Sequence, residues 1–402
     1  MKFLRNYINK IKPNFEKGGK FAKLQSTFEA FESFLYVPDK VTTQGSHIRD
    51  SIDMKRTMSI VVIALIPALL FGMWNVGYQH SLSIGQNGTL WELFYYGFLK
   101  VLPIIIVSYV AGLGVEFIFA QIRGHEVNEG FLVSGMLIPL ILPVDTPLWM
   151  VAVATIFAVI IGKEVFGGTG MNIVNPALVA RAFLFFAYPS KMSGDKIWIS
   201  ELESGQNIID GFSGATPLAE AAAMANPEHL AQFHQHYSIA DMFFGFIPGS
   251  IGETSTLAIL IGAAILLFTG IGSWKIMFSV FIGGTAMGLI LTNFASTTNL
   301  YMSIPFYEHL LLGGFAFGAI FMATDPVTAA QTEKGKWIYG FLIGFIAILV
   351  RVLNPAYPEG MMLAILLMNV FSPLIDHYVV RGNIKKRLKR QKVKSNKTIY
   401  EY

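Results

Sequence analysis

The run Asp210-Gly211-Phe212-Ser213-Gly214-Ala215-Thr216 sets two hydroxyls among small residues, directly before Pro217. A threonine hydroxyl is a poor nucleophile near neutral pH and needs a base to activate it. No base adjoins Thr216 in the sequence, so an ester to a phosphate-bearing group there would be installed by a separate transferase. The run does supply an accessible hydroxyl on a flexible backbone, through Gly211, Gly214 and Ala215. A Ser/Thr turn in a polar loop explains Ser213-Gly214-Ala215-Thr216 equally well. A second pair, Asn172 and Asn175, follows Gly167-Gly168-Thr169-Gly170 and precedes Pro176. Each amide offers one carbonyl and two N–H donors, which can meet the polar edge of a planar heterocycle. Asparagine is also a favoured helix N-cap, and one residue can do both. Third, Glu116, Glu164, Asp325 and Asp376 stand in or beside apolar stretches. Ionisable groups there are costly and are functional candidates by default. Their oxygens suit a hard cation, although Asp325 before Pro326 also suits a turn. Arg181, inside another apolar stretch, can pair with a carboxylate or hold a ligand oxygen.

Several chemistries are excluded. The chain has no cysteine, so disulfides, thiolate zinc sites and cysteine-ligated iron–sulfur clusters are ruled out within it. No HExxH pair occurs, and His234 and His236 read as solvated loop histidines. Gly167-Gly168-Thr169-Gly170 lacks the Lys-Ser/Thr that completes a P-loop, and no GxGxxG follows a strand pattern.

The elements that must position these groups are membrane helices. The chain is 53% hydrophobic and 14% charged, with mean hydropathy +0.52; a soluble domain carries about 25% charged residues. A span needs about 20 mostly apolar residues. Ten segments approach that, at roughly 57–78, 96–120, 130–144, 147–163, 173–189, 254–272, 274–295, 307–324, 337–352 and 359–380. The third is short, holds Gly135 and Pro139, and stops at Pro143, as a broken helix lining a site would. An all-α integral membrane fold with ten transmembrane helices is expected. An even number of spans leaves both termini on one side. Of thirty Lys/Arg, eleven lie in 1–56 and nine in 381–402. Loops on the side of the tails add Arg123, Lys163, Lys275, Lys334 and Lys336; the opposite loops hold Lys191, Lys196 and Arg351. This asymmetry predicts cytoplasmic termini, with the polar interval 190–253 outside. The positive charge therefore belongs to the tails and is not a nucleic-acid face. The divisions are a basic amphipathic segment 1–56, a first five-helix unit 57–189, the outer loop 190–253, a second unit 254–380 and a basic tail 381–402. Phe28, Phe31, Phe34 and Tyr36 in the first segment fit a helix on the membrane or on a partner, and equally a solvated segment. No apolar core follows its first lysines, so it is no secretory signal.

The two units echo each other. Gly130-Phe131 recurs as Gly314-Phe315, Pro143 as Pro326, and Asn175-Pro176-Ala177 as Asn354-Pro355-Ala356, at spacings of 184, 183 and 179 residues. Five helices per unit would invert the second copy, an architecture found in transporters with broken helices near the midplane.

Longer motifs accompany these: Gly-His-Glu-Val-Asn-Glu-Gly (124–130), Gly-Lys-Glu-Val-Phe-Gly-Gly-Thr-Gly (162–170), Asn-Pro-Ala-Leu-Val-Ala-Arg-Ala-Phe (175–183), Gly-Gly-Phe-Ala-Phe-Gly (313–318), Met-Ala-Thr-Asp-Pro-Val (322–327) and Asn-Pro-Ala-Tyr-Pro-Glu-Gly-Met-Met (354–362). Together, from about residue 25 to 390, they closely resemble the B subunit of the bacterial sodium-translocating NADH:quinone oxidoreductases. The related D subunit of the Rnf ferredoxin:NAD oxidoreductases shares the Ser-Gly-Ala-Thr site but typically lacks the long N-terminal extension. The resemblance implies FMN esterified through its phosphate to Thr216, with Ser213 and Gly214 beside it, attached by a flavin transferase. It implies noncovalent riboflavin at Asn172 and Asn175, ubiquinone or menaquinone near Gly112 and Glu116, and a Na+ path using Glu116, Asp325 and Asp376. It further implies an inner-membrane redox subunit of a six-subunit sodium-pumping complex, with NADH oxidised on another subunit. A cofactor-free inverted-repeat transporter is the alternative of another class.

Overall fold

The computed structural model describes residues 2–15, 18–21, 52–123, 129–204, 208–209, 212–224, 226–295, 299–354 and 359–399, with scattered positions between 25 and 50. Phe31, Phe34, Asp210, Gly211 and the motif portions 124–128 and 355–358 lie outside the described residues. Every regular element among the described residues is helical.

In chain order these are α1 (Lys2–Ile11), α2 (Met54–Ser83), α3 (Leu90–Arg123), α4 (Phe131–Leu140), α5 (Leu148–Gly162), α6 (Pro176–Ala187), α7 (Pro217–Ala222), α8 (Pro227–His236), α9 (Ile239–Phe244), α10 (Thr256–Phe268), α11 (Trp274–Asn293), α12 (Phe306–Leu311), α13 (Phe315–Phe317), α14 (Glu333–Leu353) and α15 (Met361–Ile399). Six are long and apolar enough to cross a membrane: α2, α3, α5 with the turn to Phe166, α11, α14 and α15. α4, α6 and α10 are apolar but shorter. The expected eighth span is interrupted. α12 stops at Leu311, Gly313 turns the chain at φ +60°, α13 restarts at Phe315, and the helix widens to a π-turn over Gly318–Met322. The two glycines paired by the sequence echo, Gly130 and Gly314, each directly precede a short helix, α4 and α13.

The outer faces are apolar. Ile63, Leu70, Ile106, Val110, Phe278 and Val370 are exposed, while Asn75, Ser108, Thr155, Ser279 and Asn369 are buried. A soluble protein rarely leaves so large an apolar surface open. Lipid tails give helices no hydrophobic reason to associate, so close packing at small residues must hold them together. A Cβ added to Gly97 would overlap the Met73 carbonyl across the α2–α3 seam, and one on Gly344 would overlap the Val280 carbonyl between α11 and α14. Helix starts are marked by side-chain caps. Asp53 Oδ1 accepts from Arg56 N at 2.9 Å, and Thr332 Oγ1 accepts from Gly335 N at 3.1 Å.

The interval 190–253 carries α7–α9 and seals one end of the bundle. Asn75 Nδ2 donates to the Ile247 carbonyl at 3.0 Å, and Gly252 N donates to the Leu140 carbonyl at 2.7 Å. His234, expected in a solvated loop, lies on α8 with its Nε2 3.1 Å from the buried carboxylate of Glu308 on α12. Glu201 takes a left-handed backbone, φ 64°, held by its N–H to Asp145 Oδ2 at 2.5 Å and its carboxylate to Lys100 at 2.7 Å.

Candidate functional site

Two cavities lie at opposite ends of shared helices. Thr254, just before α10, lines the first and Leu266 lines the second. These positions are about 18 Å apart along a helix axis. On α6, Asn175 at the start faces the second cavity, while Arg181 and Phe185 face the first. Each cleft holds about 770–800 Å³ of free space, counting its mouth.

Thr216 stands at the rim of the first cavity and is half-buried. It is the N-cap of α7, and its Oγ1 accepts from Ala219 N at 3.2 Å. Ser213 is exposed, with Oγ accepting from Ala215 N at 3.3 Å. The turn is not the loose, uncrowded one that its glycines suggest. Gly214 and Ala215 are buried, and a Cβ on Gly214 would run into Leu202 and the Asp195 carbonyl. Gly214 is there for space. Tyr237 donates its hydroxyl to the Ala215 carbonyl at 3.1 Å, and burial pushes its phenol pKa up, so it stays a donor. The cavity wall adds Trp198, Phe185, Arg181 and two carboxylates that sequence reasoning overlooked, Glu253 and Glu359. Arg181 bonds Glu359 Oε2, Glu253 Oε2 at 3.4 Å, and the Ile141 carbonyl just beyond α4. Ser250 also bonds Glu253 Oε2. Arg351, expected near a loop, is 1% exposed inside α14. It donates to the carbonyls of His309 at 2.5 Å, Leu312 at 3.1 Å and Glu359 at 3.2 Å. It thus ties the broken α12–α13 junction to the segment before α15. The signals for these residues were faint: Glu359 sits in the Asn-Pro-Ala-Tyr-Pro-Glu-Gly motif, and Arg351 was a basic residue in an apolar run.

The second cavity gathers Asn172, Asn175, Lys163, Thr169, Asp325 and Phe321. Asn175 caps α6, its Oδ1 accepting from Ala177 N at 2.9 Å, while its Nδ2 reaches Asp325 Oδ2 at 3.5 Å. Asn172 caps nothing; its Nδ2 donates to the Val174 carbonyl at 3.2 Å. Asp325 makes the turn that its proline predicted, accepting from Val327 N and Thr328 Oγ1, both at 3.1 Å. Lys163, expected in a loop, is buried and paired with Glu116. Glu164 pairs with Arg123 at 3.1 Å.

The remaining predicted residues sit elsewhere. A Cβ on Gly112 would collide with the Phe131 ring, so Gly112 lets α3 meet α4. Asp376 accepts from Gln331 N at 2.7 Å, Thr332 N at 3.0 Å and Thr332 Oγ1 at 2.5 Å, fastening the start of α14 to α15. Among the described residues, no three of His, Asp and Glu converge as a metal site.

Residues 41–385 match the family described as NQR2, RnfD, RnfE. The chain belongs to that family. Three of its similar relatives are named as the B subunit of a Na(+)-translocating NADH-quinone reductase. That of Chromohalobacter salexigens is 48% identical over 408 residues, covering 96% of each chain. Those of Ectopseudomonas mendocina and Pseudomonas aeruginosa are each 48% identical over 410 residues, covering 96% of this chain and 99% of their own. The NQR2, RnfD, RnfE match takes in both cavities, and begins after α1.

Proposed function

We propose that this chain is the B subunit of a sodium-translocating NADH:quinone reductase. In this reading it sits in the inner membrane with both termini cytoplasmic. FMN is attached to Thr216, and riboflavin is held at Asn172 and Asn175. What supports this is Thr216 at the rim of a cavity, in a chain 48% identical along 96% of its length to proteins of that name. The residues suit a flavin. Trp198 and Phe185 offer apolar faces, and Arg181 offers a cation to the polar edge of a ring. Thr216 Oγ1 has an acceptor's bond from Ala219 N; among the described residues no carboxylate or imidazole bonds it. Attachment therefore calls for a transferase. In the second cavity the amide of Asn172 and the second face of Asn175 can meet a flavin edge, while Phe321 and Val133 line the apolar part.

A bound flavin supplies electron transfer in single or paired steps. The chain anchors it, orients it and excludes water. In this reading two such centres would share one stack, in the cavities at opposite ends of α6 and α10, with the interrupted α12–α13 helix between them. We read the units 57–189 and 254–380 as inverted copies forming ten membrane segments. Their first helices, α2 and α10, pack together, as do their last, α6 and α15. Electrons would pass between the flavins on the way to quinone near Gly112 and Glu116, with Na+ driven outward past Glu116, Asp325 and Asp376. The other subunits of the complex would oxidise NADH.

The deciding measurement is the mass of the tryptic peptide containing Thr216, expected to carry one FMN. A covalent flavin band that persists in Thr216→Ala overturns the site. Sodium-dependent, NADH-driven quinone reduction by the purified complex is expected; sodium-independent ferredoxin oxidation would instead place the chain with the Rnf branch of its family.

A further inference from the structure

Glu253 and Glu359 approach Gly314 from different directions. Glu253 precedes α10, and Glu359 precedes α15. A Cβ built on Gly314 would meet Glu253 Oε1 at 2.6 Å and Glu359 Oε1 at 2.8 Å. Both oxygens thus point to one spot, which a side chain at 314 would fill. The other oxygen of each carboxylate is occupied by Arg181, with Ser250 also on Glu253. The two Oε1 atoms are buried and have no hydrogen-bond partner among the described residues. Glu253 is 6% exposed, Arg181 5% and Glu359 13%, so water screens only part of this charge.

Two ionised carboxylates that border one spot away from water repel, and one of them resists ionisation. The groups around them do not remove the conflict. Arg181 from α6 reaches the two Oε2 atoms and the Ile141 carbonyl. Arg351 from α14 is turned to three backbone carbonyls. Ser250 bonds Oε2 of Glu253, not Oε1. A hydrogen on one Oε1 makes that carboxyl a donor and removes the repulsion.

We propose that Glu253 and Glu359 together hold one proton, forming a proton-exchange site in the wall of the Thr216 cavity. Burial and the Glu359 charge push the Glu253 carboxyl up, against the pull of Arg181, in the same direction. The pair acts as a donor. When negative charge develops in the cavity, the proton leaves Oε1 for the electron-rich atom, and two carboxylates then remain against Arg181. A proton from water at the cavity mouth restores the pair. The electrons come from the redox reaction proposed for the complex, so this role for the pair rests on the flavin reading; the shared proton itself does not.

The test is infrared spectroscopy of the whole purified complex with carboxyl-labelled glutamate. Oxidised wild type at neutral pH is expected to show the C=O stretch of a protonated carboxylic acid that is absent from both Glu253→Gln and Glu359→Gln. Its absence from wild type, which needs no variant, overturns the proposal. So does its survival in both variants, or its removal by saturating Na+ at constant pH, which would put a metal ion between the oxygens. In Thr216→Ala the band should persist, because the pair exists without the flavin. If no covalent flavin is found but the band is present, the flavin reading fails and the proton site stands. Reduction should shift the band in wild type and leave it still in Thr216→Ala.

Discussion

Around the Asn175 cavity the carboxylates have partners: Lys163 on Glu116, and a backbone N–H, a hydroxyl and an amide on Asp325. Around the Thr216 cavity one guanidinium stands between two carboxylates, each keeping an oxygen without a partner among the described residues. The cavities have similar volume, occur at opposite ends of the same helices, and each abuts a glycine that starts a short helix. Their difference is in how far the carboxylate oxygens are satisfied. A matched environment resists any change of charge and suits a ligand held in place by an apolar slot and amides. An unmatched one responds when charge arrives, and suits a group whose charge changes while it stays tethered.

The strongest challenge to this contrast is to empty one cavity and inspect the other. Thr216→Ala is expected to abolish the covalent flavin, seen as fluorescence of the denatured band, while acid-extractable flavin stays at the wild-type level. Asn172→Ala with Asn175→Ala is expected to do the reverse. If either variant clears both pools, the cavities do not load independently.

Next in size is the matched pair itself. Lys163→Met leaves Glu116 buried without its cation, and breaking such pairs costs about 3–5 kcal/mol. Lys163→Met combined with Glu116→Leu should recover most of that loss, since apolar replacement of a buried pair is often neutral. Thermal unfolding of the purified protein in detergent measures both. No recovery in the double variant would mean that Glu116 or Lys163 holds something beyond its partner.

A smaller effect probes the packing that sets the cavities. Gly112→Ala drives a methyl into the Phe131 ring at the start of α4. Overpacking of this kind costs about 1–3 kcal/mol. Flavin on Thr216 should be retained, while the noncovalent flavin falls, because α4 lines the Asn175 cavity through Val133 and Leu137. Equal loss of both flavins would argue that the whole bundle has shifted.

Much of this was legible in the sequence, and what was not has a physical cause. Apolar runs reveal helices because lipid-facing and core-facing positions are both apolar, so all ten segments contain helix, although only six are long enough to cross alone. The break at 312–314 was hidden in a run that reads as a regular span, because its polar cost is met from far along the chain by Arg351. Asn175 was legible as a cap, because the bond is local. Glu253 and Glu359 were not legible as a pair. They are more than a hundred residues apart, and their meeting depends on how α10 and α15 pack around Gly314. Gly214 looked like a flexible hinge because sequence cannot distinguish a glycine needed for freedom from one needed for space.

The finest division falls within one side chain. Asn175 uses Oδ1 to cap α6 and leaves the cavity side to its Nδ2, which reaches Asp325 only weakly at 3.5 Å. Asn175→Ala removes both functions and should cost about 0.5–2 kcal/mol through the cap. Asn175→Ser keeps a cap oxygen but has no amide to offer a ligand. If the residue is only a cap, Ser restores wild-type unfolding temperature and wild-type noncovalent flavin together. If it also contacts the ligand, Ser restores the temperature and not the flavin. The second outcome is expected, because the amide borders a cavity and its N–H groups are not used by the cap. Asp325 provides the control: it holds its own turn through Val327 N and Thr328 Oγ1, so losing the Asn175 amide should leave that turn, and the cavity floor it forms, intact.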